Sequence, residues 1–186
     1  MPNLSVIAVS TRPTRAGFPL SQWMFEKAHA HGGFTTTLID LKEENLPLFD
    51  EPHHPRLKQY EHEHTKRWSA KVEASDAFIF VTPEYDHAAP PSLINAIVYL
   101  SQEWAHKPVG FVSYGGPAGG MRAVQMVKPM LSAMKMVVTL ESVMVPLFAQ
   151  HIVDGVFKPN ELQDQGATMM LDALVKWSSA LATMRK

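Results

Sequence analysis

The chain has 186 residues, 46% of them apolar and 19% charged, and from this balance we expect one compact domain over residues 1–186 with a sizeable core. Its formal net charge is −1 and no long block carries one sign, which argues against nucleic acid or an anionic membrane as a partner. Cysteine is absent, which excludes disulfides, thiolate nucleophiles and cysteine-bound metals, so any redox chemistry needs a cofactor.

The first third of the chain alternates strand-like and helix-like segments. Residues 4–9 form a short β-branched run that predicts a strand, and residues 20–31 predict a helix closed by two glycines. Residues 34–41 predict a second strand, which is followed by a proline-rich loop. No signal-peptide pattern precedes the first strand and no apolar run has membrane-spanning length, so we expect a cytoplasmic protein.

The same alternation continues to residue 112. Residues 57–74 carry apolar side chains on one side only and predict a surface helix, whereas residues 77–81 are wholly apolar, as expected of a central strand. Pro91 can begin a helix that we extend to residue 104, because proline is tolerated in a first helical turn. Residues 109–112 predict the fourth strand.

The last third supplies three more elements and a small extension. Residues 121–135 predict a helix that Pro129 should bend, and residues 137–145 predict the fifth strand. Asp154 and Gly155 predict a tight turn, and residues 161–183 predict a long amphipathic helix.

Five strands that alternate with helices predict parallel βαβ units. This number favours the flavodoxin-like order 2-1-3-4-5 over the six-stranded dinucleotide-binding order, so we expect an α/β fold with a doubly wound, five-stranded parallel sheet. Such folds bind ligands beyond the carboxyl ends of the strands. Three loops reach that edge: the first loop (residues 10–17), the second loop (residues 82–87) and the third loop (residues 113–120). The sequence therefore predicts a binding site there.

The first loop has the chemistry of a phosphate site. It offers the hydroxyls of Ser10 and Thr11, the guanidinium groups of Arg12 and Arg15, and Gly17, which gives the backbone room at the start of a helix. Helix N-termini attract anions and arginine adds charge-assisted hydrogen bonds, so a phosphate monoester is the predicted guest. The alternative is a solvated turn with surface arginines.

Other phosphate-binding patterns do not match. Met121 follows Gly120 where a P-loop needs lysine, and no GxGxxG follows the first strand, which argues against nucleotide hydrolysis and ordinary dinucleotide binding.

The second loop offers backbone groups held by Pro83 and an aromatic ring, and the third loop offers glycine backbone that a flat ligand can approach. Together these two loops predict a lining for a planar heterocycle.

Several motifs stand in a fixed order at residues 10–17, 82–86, 93–96, 103–104, 107–109, 112–116 and 119–123. Over residues 3–148 these motifs resemble the NADPH-dependent FMN reductase family. The resemblance implies FMN as cofactor, NAD(P)H as electron donor, a small-molecule electron acceptor and a homodimer or homotetramer. It implies that the flavin carries the chemistry and assigns no catalytic side chain.

The resemblance also implies which residues hold FMN. Ser10, Arg12, Arg15 and Gly17 match the family's phosphate-binding positions, and Thr11 lies among them. It places four residues along the flavin, largely through main chain: Pro83, Glu84, Tyr85 and Asp86. It places four more at the other edge of the flavin: Ser113, Tyr114, Gly115 and Gly116.

The chain departs from the family pattern at four positions. Asp86 stands where asparagine is usual, and we expect its charge to lower the reduction potential of the flavin. Pro91, Ile94 and Val98 replace glycine, lysine and often aspartate in the helix that follows. The two aliphatic residues make that helix more apolar, which predicts a protomer contact or an altered acceptor pocket.

Two further clusters have ordinary explanations. Four histidines lie between residues 53 and 64, but their spacing matches no metal motif, and we expect surface histidines and no metal site. Met126, Met130 and Met134 form a stripe typical of a buried interface.

We therefore predict an FMN-dependent NAD(P)H oxidoreductase that passes hydride through the flavin to a quinone, flavin, azo compound or metal oxyanion. The alternatives are an FMN electron carrier without substrate turnover, and a binding module without flavin.

Overall fold

The computed structural model describes residues 1–185 and contains one large parallel sheet. Its strands are β1 (Asn3–Ala8), β2 (Thr35–Asp40), β3 (Ala77–Pro83), β4 (Pro108–Tyr114), β5 (Val137–Val138) and β6 (Val143–Val145). The order is β2-β1-β3-β4-β5, with β6 also pairing with β4, and every pair is parallel. The predicted flavodoxin-like topology is confirmed.

Helices cover both faces of this sheet. They are α1 (Gly17–His31), α2 (Leu41–Glu44), α3 (Glu63–Glu73), α4 (Pro91–Val98), α5 (Met121–Ala133) and α6 (Glu161–Leu181). Alternate strand residues point to opposite faces, so Phe78 and Phe80 pack in the core with α3, α4 and α5, whereas Ile79 and Val81 pack with α1 and α6. No helix of residues 1–185 is long and apolar enough to cross a membrane.

The small extension is an antiparallel pair formed by β7 (Ile152–Val153) and β8 (Val156–Phe157). Asp154 and Gly155 both have positive φ, +50° and +75°, which is the backbone that a two-residue hairpin favours. The turn predicted here is confirmed.

The fifth strand is not continuous, and the prediction of one strand over residues 137–145 was wrong. The Thr139 hydroxyl donates to the Glu141 carbonyl at 2.9 Å, which closes a turn between β5 and β6. Leu140 lies on this turn and is 90% exposed. Apolar composition alone did not reveal the interruption.

The helix predicted over residues 57–74 is much shorter. A 3-10 turn spans Pro55–Leu57, and α3 begins only at Glu63. The buried Glu51 carboxylate accepts the backbone N–H groups of Glu61 at 2.8 Å and His62 at 3.1 Å. Burial acts to raise the pKa of Glu51, but these and other hydrogen bonds outweigh it and leave the pKa below its usual range. A carboxylate from the preceding loop therefore helps to fix the start of α3.

The helix predicted from residue 91 to residue 104 is also divided. α4 ends at Val98, and a separate 3-10 helix spans Gln102–Trp104. The Glu103 carboxylate accepts hydrogen bonds from the Tyr60 hydroxyl at 2.9 Å and the Ser69 hydroxyl at 2.8 Å. These long-range contacts hold the short helix apart from α4.

Candidate functional site

The three predicted loops meet at one edge of the sheet. β1, β3 and β4 are parallel neighbours, so their carboxyl ends lie side by side. Ser10 of the first loop shares a 2.6 Å hydrogen bond with the Tyr85 hydroxyl of the second loop. The Glu84 N–H donates to the Tyr114 carbonyl of the third loop at 3.1 Å. The loops therefore form one hydrogen-bonded edge.

The first loop holds hydrogen-bond donors for which the described residues provide no acceptor. Arg15 forms an ion pair with Asp40, yet its Nε and Nη1 are buried and have no hydrogen-bond partner in residues 1–185. Arg12 is exposed, and its guanidinium carbon lies 5.7 Å from the centre of the Tyr85 ring. Thr11 is exposed as well. The loop thus presents cations and free donors at the start of α1.

Asp40 is a residue that the sequence analysis missed. It ends β2 and pairs in register with Ala8, the last residue of β1, which places it beside the first loop. An acidic residue at the end of the second strand was a usable signal, given the predicted strand order. Its carboxylate also accepts the Lys42 N–H at 3.0 Å and so caps the start of α2. Arg15 is therefore anchored to a residue that is itself fixed in place.

Gly17 is in close contact with a side chain of the third loop. It is buried as the first residue of α1, and a Cβ added to it would lie 2.1 Å from the Tyr114 hydroxyl oxygen. The space that glycine leaves is filled by this tyrosine, which comes from β4. The Tyr114 side chain therefore reaches the first loop.

The second loop makes a strained tight turn. Tyr85 and Ala88 exchange two backbone hydrogen bonds of 3.0 and 2.9 Å. Between them Asp86 and His87 have φ values of +48° and +68°, in the left-handed region, which costs roughly 1–2 kcal/mol for a residue with a side chain. Both side chains are exposed at the open edge. Strain of this kind is common at ligand-binding loops.

Glu84 ties the second loop to α5. Its carboxylate accepts the Arg122 backbone N–H at 3.0 Å and the Arg122 Nη1 at 2.7 Å. Burial acts to raise the pKa of Glu84, but its hydrogen bonds and ion pair with Arg122 outweigh this and keep the pKa below its usual range. The Glu84 side chain is therefore engaged within the protein, and Pro83 before it is buried at the end of β3.

The third loop is fixed by bonds to its own backbone and to the segment after β6. The Ser113 hydroxyl donates to the Gly119 carbonyl at 2.8 Å, and the Gly115 carbonyl accepts the Phe148 N–H at 3.3 Å. Ser113 and Gly115 are buried. Gly116 is exposed, and a Cβ there would meet nothing within 4 Å. A flat molecule can approach the backbone at this position.

Two histidines of the cluster contact each other and an acidic side chain. His62 and His64 stack at 5.1 Å between ring centres, and His64 lies 3.1 Å from the Asp50 carboxylate. Residues 1–185 contain no group of three or more histidine and acidic side chains arranged to hold a metal ion.

Comparison with known proteins identifies the family. The model of a family described as NADPH-dependent FMN reductase matches residues 2–150, most of the chain. The chain belongs to the NADPH-dependent FMN reductase family. It is therefore an oxidoreductase with FMN as cofactor and NAD(P)H as electron donor.

Individual relatives of this FMN reductase agree. It is 36% identical over 160 residues to the NAD(P)H-dependent FMN reductase C4B3.06c of Schizosaccharomyces pombe, covering 85% of this chain and 80% of that protein. It is 36% identical over 93 residues to a quinone reductase of Pseudomonas putida, covering 47% of this chain and 48% of that protein. The structure of FerB, a flavoenzyme NAD(P)H:(acceptor) oxidoreductase from Paracoccus denitrificans, has the same fold, with a TM-score of 0.76, 21% identity and coverage of 97% and 98% of the two chains.

The residues of the first loop fit the phosphate of FMN. A phosphate group offers several acceptor oxygens and prefers charge-assisted donors. The buried Nε and Nη1 of Arg15 are donors that still lack a partner within residues 1–185, and burying such groups unpaired is costly. An anion at this position would satisfy them.

Proposed function

We propose that FMN is held along the three-loop edge, with its phosphate at the first loop and its ring across the other two. Arg12, Arg15, Ser10, Thr11 and the start of α1 would bind the phosphate. The observation on which this proposal rests is that the buried Nε and Nη1 of Arg15 have no hydrogen-bond partner among residues 1–185. The flavin would lie along Pro83–Asp86 and meet the backbone of Ser113–Gly116 at its other edge.

Bound FMN supplies the hydride chemistry, so the protein's task is to bind and orient. Asp40 holds Arg15 in place, while the Glu84 carboxylate is used to fix the second loop to α5. The side chains of Asp86 and His87 in the second loop lie at the exposed surface. No side chain of the loops is assigned as a proton donor. The rate of hydride transfer would depend on how the reduced nicotinamide is aligned with the flavin.

We propose a quinone as the electron acceptor. The exposed Gly116 leaves the predicted flavin edge open to a second flat molecule, and one relative is named a quinone reductase. Reduced nicotinamide and the quinone would use this opening in turn. Free flavins, azo compounds and metal oxyanions are alternative acceptors for the same opening.

We also propose that the protein is a homodimer through α4 and α5. Met126 on α5 is 50% exposed, and Met130 and Met134 follow it at one-turn spacing, only partly buried. Ile94 and Val98 on α4 are partly exposed aliphatic residues. A second copy of the chain would cover this apolar surface.

The test is hydride transfer followed in single steps. Protein loaded with FMN is mixed with NADPH without oxygen, and we expect the flavin absorbance to bleach and to recover when a benzoquinone is added. Arg15→Ala should lose bound FMN, whereas Arg67→Ala, at an exposed position on α3, should keep it. Bound flavin that NADPH and NADH fail to bleach would favour the electron-carrier alternative, and failure of recovery with quinone would exclude that acceptor.

A further inference from the structure

Tyr114 links the third loop to the first by its side chain. It leaves β4 on the face that packs with α1 and α6, and its hydroxyl ends against the first residue of α1. The fit is close, because a Cβ on Gly17 would lie 2.1 Å from the hydroxyl oxygen and 2.8 Å from the ring carbon that bears it. The hydroxyl thus lies at the positive end of a helix.

The surroundings of this hydroxyl are those of the phosphate loop. Burial raises the pKa of the Tyr114 phenol, and the neighbouring Ser10, Arg15 and Arg12 side chains oppose this only in part. The phenol therefore keeps its proton and can donate it in a hydrogen bond. Ser10 in turn shares a bond with the Tyr85 hydroxyl, so three hydroxyl groups gather beside two arginines.

Tyr114 is also held in place before any ligand binds. Its ring meets the Phe148 ring edge-on, with 5.4 Å between centres, and its carbonyl accepts the Glu84 N–H at 3.1 Å. A donor that is already fixed loses little conformational freedom when it binds a ligand. Space-filling under α1 accounts for the buried ring, but it does not require a hydroxyl beside Ser10.

We propose that the Tyr114 hydroxyl donates a hydrogen bond to the phosphate of FMN and makes the site select phosphorylated flavin over riboflavin. This inference rests on the proposed function and extends it. The backbone of Tyr114 lies at the flavin edge, whereas its side chain serves the opposite, phosphate end of the cofactor. One residue would then set the distance between the two binding regions.

The decisive variant is Tyr114→Phe, assayed with FMN and with riboflavin by quenching of flavin fluorescence. Loss of a hydrogen bond to a charged group should weaken FMN binding by about tenfold or more, while riboflavin binding stays unchanged. Tyr99→Phe is the matched control, because it removes another buried phenol hydroxyl, one bonded to Asp50 at the C-terminal end of α4. It should leave the ratio of the two affinities unchanged.

A second measurement does not need flavin. Inorganic phosphate should raise the melting temperature of the wild-type protein more than that of Tyr114→Phe. If the wild type binds no flavin but shows this difference, the proposed function fails and the phosphate contact stands. If Tyr114→Phe changes neither affinity, or lowers both equally, the tyrosine only packs and the inference is overturned.

Gly17→Ala covers the case in which Tyr114→Phe does not fold. Its added Cβ would push the hydroxyl away while the phenol remains. We expect the same selective loss of FMN affinity. An equal loss for FMN and riboflavin would overturn the inference.

Discussion

Single residues at the three-loop edge divide into those engaged within the protein and those left free. Glu84 and Ser113 use their side chains to fix the loops, and Asp40 neutralises part of the charge of Arg15. Asp86 is left exposed on the strained turn of the second loop, without an ion-pair partner in residues 1–185. Its charge is therefore free to act on a bound cofactor.

At this scale we expect Asp86→Asn to raise the reduction potential of bound FMN. Removing a negative charge near the flavin stabilises the anionic reduced form, by an amount on the order of tens of millivolts for a solvent-screened charge. Asparagine tolerates the φ of +48°, so the turn should be kept. Potentiometric titration of the loaded protein gives the answer.

The control is Asp154→Asn, which makes the same change at an exposed residue with φ of +50° in the β7–β8 turn. Its potential should equal that of the wild type. An unchanged or more negative potential in Asp86→Asn would show that the residue does not act on the flavin.

Elements of this fold are held together by buried polar contacts between distant segments. Lys107, just before β4, is buried and donates from Nζ to the carbonyls of Val72 at 2.8 Å and Glu73 at 3.1 Å. These carbonyls belong to the last turn of α3, where a cation is favourable. Burial lowers the pKa of Lys107 to about 8, although neighbouring acidic groups oppose the shift.

This lysine predicts a pH dependence of stability. The folded-state pKa lies below the ordinary value of 10.5, so between about pH 8 and pH 10.5 the unfolded chain binds more protons and stability from this group rises with pH. The full shift of the Lys107 pKa corresponds to a change of roughly 3 kcal/mol in the free energy of unfolding. We expect wild type to gain stability relative to Lys107→Met across this range in urea unfolding.

Lys176→Met, at an exposed position on α6, is the control and should follow the wild type in its pH dependence. A constant difference between wild type and Lys107→Met from pH 7 to pH 11, roughly the range that brackets both pKa values, would contradict the account.

The elements also show what the sequence could and could not predict. Local signals sufficed for β1, β3, β4 and the three loops, because apolar runs and turn residues are contiguous in the chain. The prolines predicted a loop after the second strand, but the sequence did not reveal the course of the segment between α2 and α3. Its course is set by Glu51 at the start of α3 and by Asn95 of α4. The Asn95 amide donates to the Pro47 carbonyl at 2.7 Å and accepts the Phe49 N–H at 3.0 Å.

The candidate site shows the same division. Its loops and residue types followed from the motifs, but the ion pair of Arg15 with Asp40 depends on strand pairing. The meeting of Tyr114 with Gly17 depends on the tilt and packing of α1 over the sheet, which no local pattern encodes.

At the scale of the whole molecule, exposed apolar side chains on α4 and α5 call for an explanation. Both core layers are closed by helices, yet Met126 on α5 is half exposed, and Ile94 and Val98 on α4 are partly exposed. Exposed apolar surface of this kind often marks a contact with a partner.

We expect Met126→Glu to shift the protein from dimer to monomer in sedimentation velocity, because a charge would be buried unpaired at the interface. Met169→Glu is the matched control on α6, where the methionine is 60% exposed on the other side of the sheet, and it should remain a dimer. A wild type that sediments as a monomer, or two variants with the same mass as wild type, would rule out this interface.

We propose that the three loops bind FMN by its phosphate at the start of α1. The decisive measurement is the visible absorption spectrum of freshly purified protein, followed by release and identification of the cofactor. We expect a flavin spectrum and one FMN per chain, restored by added FMN after the cofactor is stripped. A colourless protein that binds no flavin after incubation with FMN would contradict the account.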